Sequence, residues 1–190
     1  MPLTGHDVVV LGVGNSLWGD DGFGVCALDM FARSYEVPEN VTLLDGGTRG
    51  LYLTPWIQGA RRLLMFDAVD LKLEPGTLIE LEKDEIPRLG GTKKIDLHQM
   101  NLQDMLATAD LMGRLPEDMA LIGVQPVTLD NFGGGLSDEV RAAIAPALDL
   151  AVRRLRQWGV ELRPKARTDS REKAVWLSHE RGRAHDVAAD

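Results

Sequence analysis

Val8-Val9-Val10-Leu11-Gly12-Val13, closed by Gly14-Asn15, is a continuous apolar run near the start of the chain. A strand with one wet face alternates apolar and polar residues. An unbroken, largely β-branched run instead marks a strand covered on both faces, as in a parallel sheet. Outward from it, similar short runs recur at 41–44, 63–66, 77–81 and 120–124. Between them lie stretches of helical character at about 25–35, at 51–57 (where Pro55 blurs the bounds), at 97–111 and at 140–155. The last of these has the fullest set of signals: Ser137 as a cap, Asp138 and Glu139 where the helix dipole favours negative charge, Arg153, Arg154 and Arg156 in the last turns, and Gly159 as a stop. Pro146 inside it predicts a kink. Strands alternating with helices predict an α/β fold around a mostly parallel sheet.

The 190 residues, 44% hydrophobic and 26% charged, fit one folding domain. That domain is expected over residues 1–163. Residues 164–190 are charged and poor in apolar side chains, and read as a flexible tail. A chain of this size buries roughly 70% of its unfolded surface, enough to fold without a disulfide or structural metal, and the single cysteine, Cys26, permits no internal disulfide. A net charge of −8 argues against nonspecific nucleic-acid binding, which needs a cationic face. No stretch approaches the ~18 apolar residues of a membrane-spanning helix, and the first residues are too short and acidic a run for a signal peptide. The expectation is a soluble, cytoplasmic monomer with no membrane or nucleic-acid partner.

In open α/β sheets, ligands bind beyond the carboxyl ends of the strands. Residues 14–22, Asp45-Gly46-Gly47, Asp67-Ala68 and Gln125 all fall at such ends. Gly12-Val13-Gly14-Asn15 superficially resembles a dinucleotide-binding turn, with Asp45 in the place of the ribose-binding acid. Against that, the third glycine of the motif would fall at Leu17, and Asp20 and Asp21 would repel a pyrophosphate at the helix start. No nucleotide cofactor is expected. Asp20 and Asp21 also read as helix caps; neighbours in a loop point in different directions, so one caps while the other faces a cleft. Asp67 ends an apolar run, where a charge is costly to bury without a partner. His98, near a helix start, reads equally as a surface or capping histidine. Two carboxylates and one imidazole, if they meet, suit nickel or zinc rather than copper(I) or an iron–sulfur cluster. No HExxH or paired CxxC motif is present. Cys26 reads as filling between helix and sheet, and Ser16 and Ser137 lack the GxSxG context of a serine hydrolase.

Five blocks together resemble one known family. Gly12-Val13-Gly14-Asn15 with Leu17 and Asp20-Asp21-Gly22-Phe23-Gly24-Val25 is similar to the N-terminal signature of the hydrogenase maturation endopeptidases. Leu44-Asp45-Gly46-Gly47-Thr48, Leu64-Met65-Phe66-Asp67-Ala68 with Glu74-Pro75-Gly76-Thr77, Lys94-Ile95-Asp96-Leu97-His98-Gln99, and Leu121-Ile122-Gly123-Val124-Gln125-Pro126 resemble the blocks that follow, in order, from about residue 7 to residue 163. The resemblance implies three layers: a twisted, mostly parallel five-stranded sheet with helices on both faces. It implies an endopeptidase that removes the C-terminal extension of a nickel–iron hydrogenase large-subunit precursor, with nickel carried by the substrate rather than held permanently. It also implies a metal-contact and catalytic set of Asp21, Asp67 and His98. The first-loop position is Glu or Asp in the family; the shorter Asp21 would reach the metal from deeper or through water. Asn15, Asp20, Asp45, Gly46, Gly47 and Gln99 are supporting candidates, with Asn15 and the amides of Gly12–Gly14 or Gly46-Gly47 as possible oxyanion donors. A metal-polarised water with a carboxylate base and an aspartic-type Asp21–Asp67 pair both stay open, as do a permanent zinc protease and a non-catalytic binder of the precursor.

Overall fold

The structure, a computed structural model, describes residues 6–47, 50–86 and 97–165; the side chains of residues 6, 50, 51, 97–101, 103 and 104 fall outside that description. Along the chain come β1 (His6–Val13), α1 (Phe23–Ser34), β2 (Tyr35–Glu36), β3 (Val41–Gly47), α2 (Thr54–Gln58), β4 (Ala60–Ala68), β5 (Leu78–Glu82), α3 (Leu97–Leu111), β6 (Asp118–Val124), α4 (Asp138–Gln157) and β7 (Arg163–Pro164). Short 3-10 turns at Gly19–Gly22 and Gly50–Leu53 lead into α1 and α2. The main sheet has five strands in the order β3-β1-β4-β6-β5. The pairs β1–β3, β1–β4 and β4–β6 are parallel, and β5 joins the edge antiparallel to β6.

Strand alternation divides the core in two. Val8, Val10, Leu64, Phe66, Ala120 and Ile122 face α1 and α4, packing with Phe23, Phe31, Val140 and Leu155. Val9, Leu11, Leu63, Met65 and Leu121 face α2 and α3, packing with Ile57, Leu102 and Met105. Each such large side chain, fully buried, contributes about 1.5–3 kcal/mol. The unbroken apolar runs of β1 and β4 thus have the physical cause read from them: both faces are covered.

The glycines of the first loop serve close packing. A Cβ on Gly12 would lie 2.5 Å from the Gly24 carbonyl oxygen, and one on Gly24 would overlap the carbonyl oxygens of Phe66 and Val13. Only two facing glycines let the first turn of α1 rest directly on the ends of β1 and β4.

The structure departs from the sequence reading in three places. β4 starts at Ala60, ahead of the apolar run, because Arg61 and Arg62 extend the strand while their side chains pair with Glu117 and Asp118. The 51–57 stretch is divided between the 3-10 turn Gly50–Leu53 and α2. α4 runs through Pro146, as read. Pro146 and Ala142 are both exposed, so the carbonyl that loses its partner faces water. The small antiparallel pair β2–β7 was not anticipated. It is extended by Lys165, whose main-chain N–H donates to the Ser34 carbonyl at 2.8 Å, so the chain is still docked at Pro164 and Lys165. Thr48, Lys94, Ile95, Asp96 and residues 166–190 lie outside the described residues.

Candidate active site

The chain leaves β1 for β3 on one side through α1, then returns through α2 to place β4 on the other side of β1. The sheet's switch point therefore lies between β1 and β4, and the crevice past their carboxyl ends is where such folds bind ligands. The register Asp45–Gly12–Phe66–Ile122 lines up the ends of β3, β1, β4 and β6. Asp67 stands one residue past that row, opposite Gly123. Neighbouring strands lie about 4.8 Å apart, so the end of β4 and the loop that leaves β1 share one rim.

Asp21 comes to this rim from the 3-10 turn. Gly14, at φ +119°, turns the chain sharply out of β1, a conformation that side-chain-bearing residues rarely adopt. A Cβ on Gly14 would overlap the main chain of Asp21, so Asp21 lies directly over the strand end. The Asn15 N–H donates to Asp21 Oδ2 at 2.8 Å, and the Ala68 N–H donates to Asp67 Oδ1 at 2.8 Å. Both carboxylates are buried, with 3% and 5% of their surface exposed. Each accepts a hydrogen bond from a main-chain donor.

Asp20 has a different task. It is 1% exposed. Its carboxylate accepts hydrogen bonds from the N–H groups of Val127 (2.8 Å) and Thr128 (3.3 Å), from the Ser137 N–H (2.7 Å) and from the Ser137 hydroxyl (3.0 Å). Ser137 Oγ in turn caps α4 by accepting from Val140 N–H at 3.4 Å. Asp20 therefore clamps the β6–α4 loop to the turn that carries Asp21. The expectation that one of the two caps the helix is corrected: the N-cap of α1 is Gly22, with no side-chain hydrogen bond.

Gln125, also buried, organises the far side. Its Oε1 accepts from the N–H groups of Leu71 and Leu73 at 2.9 and 3.1 Å, and its Nε2 donates to Asp70 Oδ1 at 3.0 Å. Hydrogen bonds from Lys72 and Gln125 hold the Asp70 carboxyl below its ordinary range. Neither scaffolding role was legible in the sequence, because the groups gripped are main-chain donors of distant loops.

His98 and Gln99 belong to the first turn of α3, and their side chains lie outside the described residues. The backbone does fix the direction of α3. Its C-terminal end lies near the start of β4, since Gln58 Nε2 donates to the sulfur of Met112 at 3.0 Å, and Glu117 N–H donates to the Arg61 carbonyl at 2.8 Å. Fifteen residues span about 22 Å at 1.5 Å each. The N-terminal turn is thus carried back along the sheet toward the carboxyl ends of the strands. Among the described residues, no three His, Cys, Asp or Glu side chains gather as a metal site.

The remaining candidates divide. Asp45, two residues before the end of β3, has an exposed side chain, and Gly46 is packed between Leu11 and Leu53. The expectation that the Gly12–Gly14 amides help form an oxyanion hole is corrected for Gly14, whose N–H donates to the Gly47 carbonyl at 3.1 Å. The Asn15 main-chain N–H is held by Asp21. Asn15 Oδ1 accepts from Leu17 N–H at 3.0 Å, closing the loop on itself. Cys26 is half-buried against the core. Burial and the charge of Asp29 raise its thiol above the ordinary value, with Arg141 opposing, which disfavours a nucleophilic thiolate.

A buried pair of main-chain-oriented carboxylates at a switch point is chemistry suited to hydrolysis, and comparison with known proteins gives it a context. The family model described as hydrogenase maturation protease (HycI) matches residues 26–154. The hydrogenase expression/formation protein HupD of Bradyrhizobium diazoefficiens is 48% identical over 189 residues, covering 98% of this chain and 95% of its own. Among solved structures, the hydrogenase maturating endopeptidase HybD of Escherichia coli superposes with a TM-score of 0.78 at 38% identity, covering 83% of this chain and 97% of that one. The [NiFe] hydrogenase maturation protease HybD of Thermococcus kodakarensis gives a TM-score of 0.61 at 27% identity, covering 77% and 97%. With the family model matched over most of the chain and a relative nearly half identical along almost all of it, this protein belongs to the hydrogenase maturation protease family.

Proposed function

We propose that this protein is the cytoplasmic, monomeric endopeptidase that removes the C-terminal extension of a nickel-loaded [NiFe] hydrogenase large-subunit precursor, and that Asp21, Asp67 and His98 act on it together. The observation that carries this reading is the pair of buried aspartates, each oriented by a main-chain N–H, at the β1/β4 switch point of a hydrogenase maturation protease. In this reading nickel arrives as cargo, held mainly by the precursor's own side chains. Two carboxylates and an imidazole add oxygen and nitrogen donors of the kind nickel accepts. A loaded precursor is thereby fixed with its scissile bond at the rim, and positioning of that kind is worth on the order of 7–11 kcal/mol of barrier in favourable systems.

The chemistry then asks little more of the chain. A carboxylate takes a proton from water as the oxygen adds to the scissile carbonyl carbon. That proton passes to the departing amide nitrogen as the C–N bond breaks, leaving a carboxylate on the mature subunit and a free amine on the released peptide.

Substitution tests the assignment. Asp21→Asn, Asp67→Asn and His98→Ala are each expected to slow precursor processing by on the order of 10²–10⁴-fold, with melting temperatures near that of the parent. Normal processing by all three would refute the assignment.

A further inference from the structure

Water seldom covers a cluster of large apolar side chains on a protein surface unless a partner displaces it in turn. Leu17 (58% exposed), Trp18 (36%) and Phe132 (68%) stand together beside the rim. The rings of Trp18 and Phe132 meet edge to face with centroids 5.2 Å apart, and their main chains form an isolated antiparallel bridge. The Gly133 N–H donates to the Leu17 carbonyl at 2.7 Å. Behind them, the buried Asp20 carboxylate ties the turn on one side to Val127, Thr128 and Ser137 on the other. Loops that carry exposed rings yet are cross-tied by a buried carboxylate present those rings in one fixed arrangement. The location adds a second fact: the Asp21 N–H donates to the Trp18 carbonyl at 3.1 Å, so the turn bearing the indole ends at the candidate catalytic aspartate.

We infer that Leu17, Trp18 and Phe132 form a prebuilt apolar lip that seats an apolar segment of the precursor polypeptide next to Asp21, setting affinity for the substrate rather than the rate of bond cleavage. This rests on the function proposed above. The lip is continuous with the residues that act on the precursor, and the precursor is the occupant that must reach Asp21 and leave again. A second copy of this chain seated there would close the rim against substrate. Rigid aromatic rings also lose little conformational entropy on contact, which is why such side chains dominate binding surfaces.

The test is steady-state processing of nickel-loaded precursor by the full-length protein. Trp18→Ser with Phe132→Ser is expected to raise KM on the order of tenfold, with kcat within about twofold of the parent. Phe132→Ser alone, at a site already mostly in water, gives a smaller rise of the same kind if the double variant folds poorly. Leu111→Ser, at a still more exposed apolar residue at the end of α3, serves as control and leaves KM unchanged. An unchanged KM in the lip variants while Asp21→Asn is inactive overturns the lip and leaves the proposed function standing. A fall in kcat at constant KM also overturns it. Normal cleavage by Asp21→Asn, Asp67→Asn and His98→Ala alike overturns the proposed function, and the lip with it. Sedimentation of the protein alone adds a last arm: a dimer that Trp18→Ser dissociates assigns the lip to self-association and overturns the proposal.

Discussion

Asp20 and Asp21 share a turn and differ in what surrounds them. Asp21 receives a main-chain N–H from its own loop, whereas Asp20 gathers donors 107 to 117 residues away in sequence. All four donors point at its two oxygens, so an amide in its place would set N–H against N–H. Asp20→Ala is expected to leave buried donors unpaired and to lower stability by about 3 kcal/mol, read as a shift in urea midpoint at unchanged slope, with processing reduced as the rim loosens. The sequence offered both aspartates as candidates but not their division of labour, because that division depends on where the β6–α4 loop returns. Asp67 was easier to read: an acid ending a run of buried apolar residues has few places to be except a strand end. The role given to the Gly14 amide as an oxyanion donor was misread for the same reason as Asp20 was under-read. Hydrogen-bond partners between loops leave no trace in local residue patterns.

Elements were far more legible than bonds. The central strands β1, β4 and β6 announced themselves by apolar runs, since burial on both faces dictates composition directly, whereas the edge strand β5, which carries Glu80, was marked by the Pro75-Gly76 turn before it. α4 was marked by its cap, its dipole-matched charges and its closing glycine. The β2–β7 pair was invisible, as two residues carry no period. The Gly12–Gly24 contact is the clearest case of a motif whose cause lies at this scale. The glycine-rich segment looks like a phosphate cradle, but its glycines admit α1 against β1 and β4 and so deliver the acidic turn to the rim. Gly24→Ala is expected to cost upwards of about 3 kcal/mol, because its Cβ meets main-chain oxygens that cannot move aside. Recovery of soluble protein and its melting temperature check this, and a variant as stable as the parent would show that the crossing has slack.

At the scale of the whole molecule, topology rather than any single residue selects the candidate site: the direction of winding across the sheet reverses between the parallel strands β1 and β4, and both buried aspartates stand at the carboxyl ends of those two strands. Among the described residues, no helix is long and apolar enough to cross a membrane. A boundary of the active unit after Lys165 is a prediction, argued from the bonds of Lys165 to Ser34 and, through Nζ at 2.6 Å, to the Ala32 carbonyl. A chain ending at Lys165 is expected to process precursor at the full rate, whereas one ending at Leu162 loses the β2–β7 pair and about 1 kcal/mol of stability by urea denaturation. Full activity requiring residues 166–190 would contradict that boundary. The most direct measurement of all is the intact mass of the large-subunit precursor after incubation with this protein, taken once with nickel loaded and once without. Loss of the C-terminal peptide from the nickel-loaded form alone is the expected result, and equal cleavage of the nickel-free form would contradict recognition of the metal by the rim.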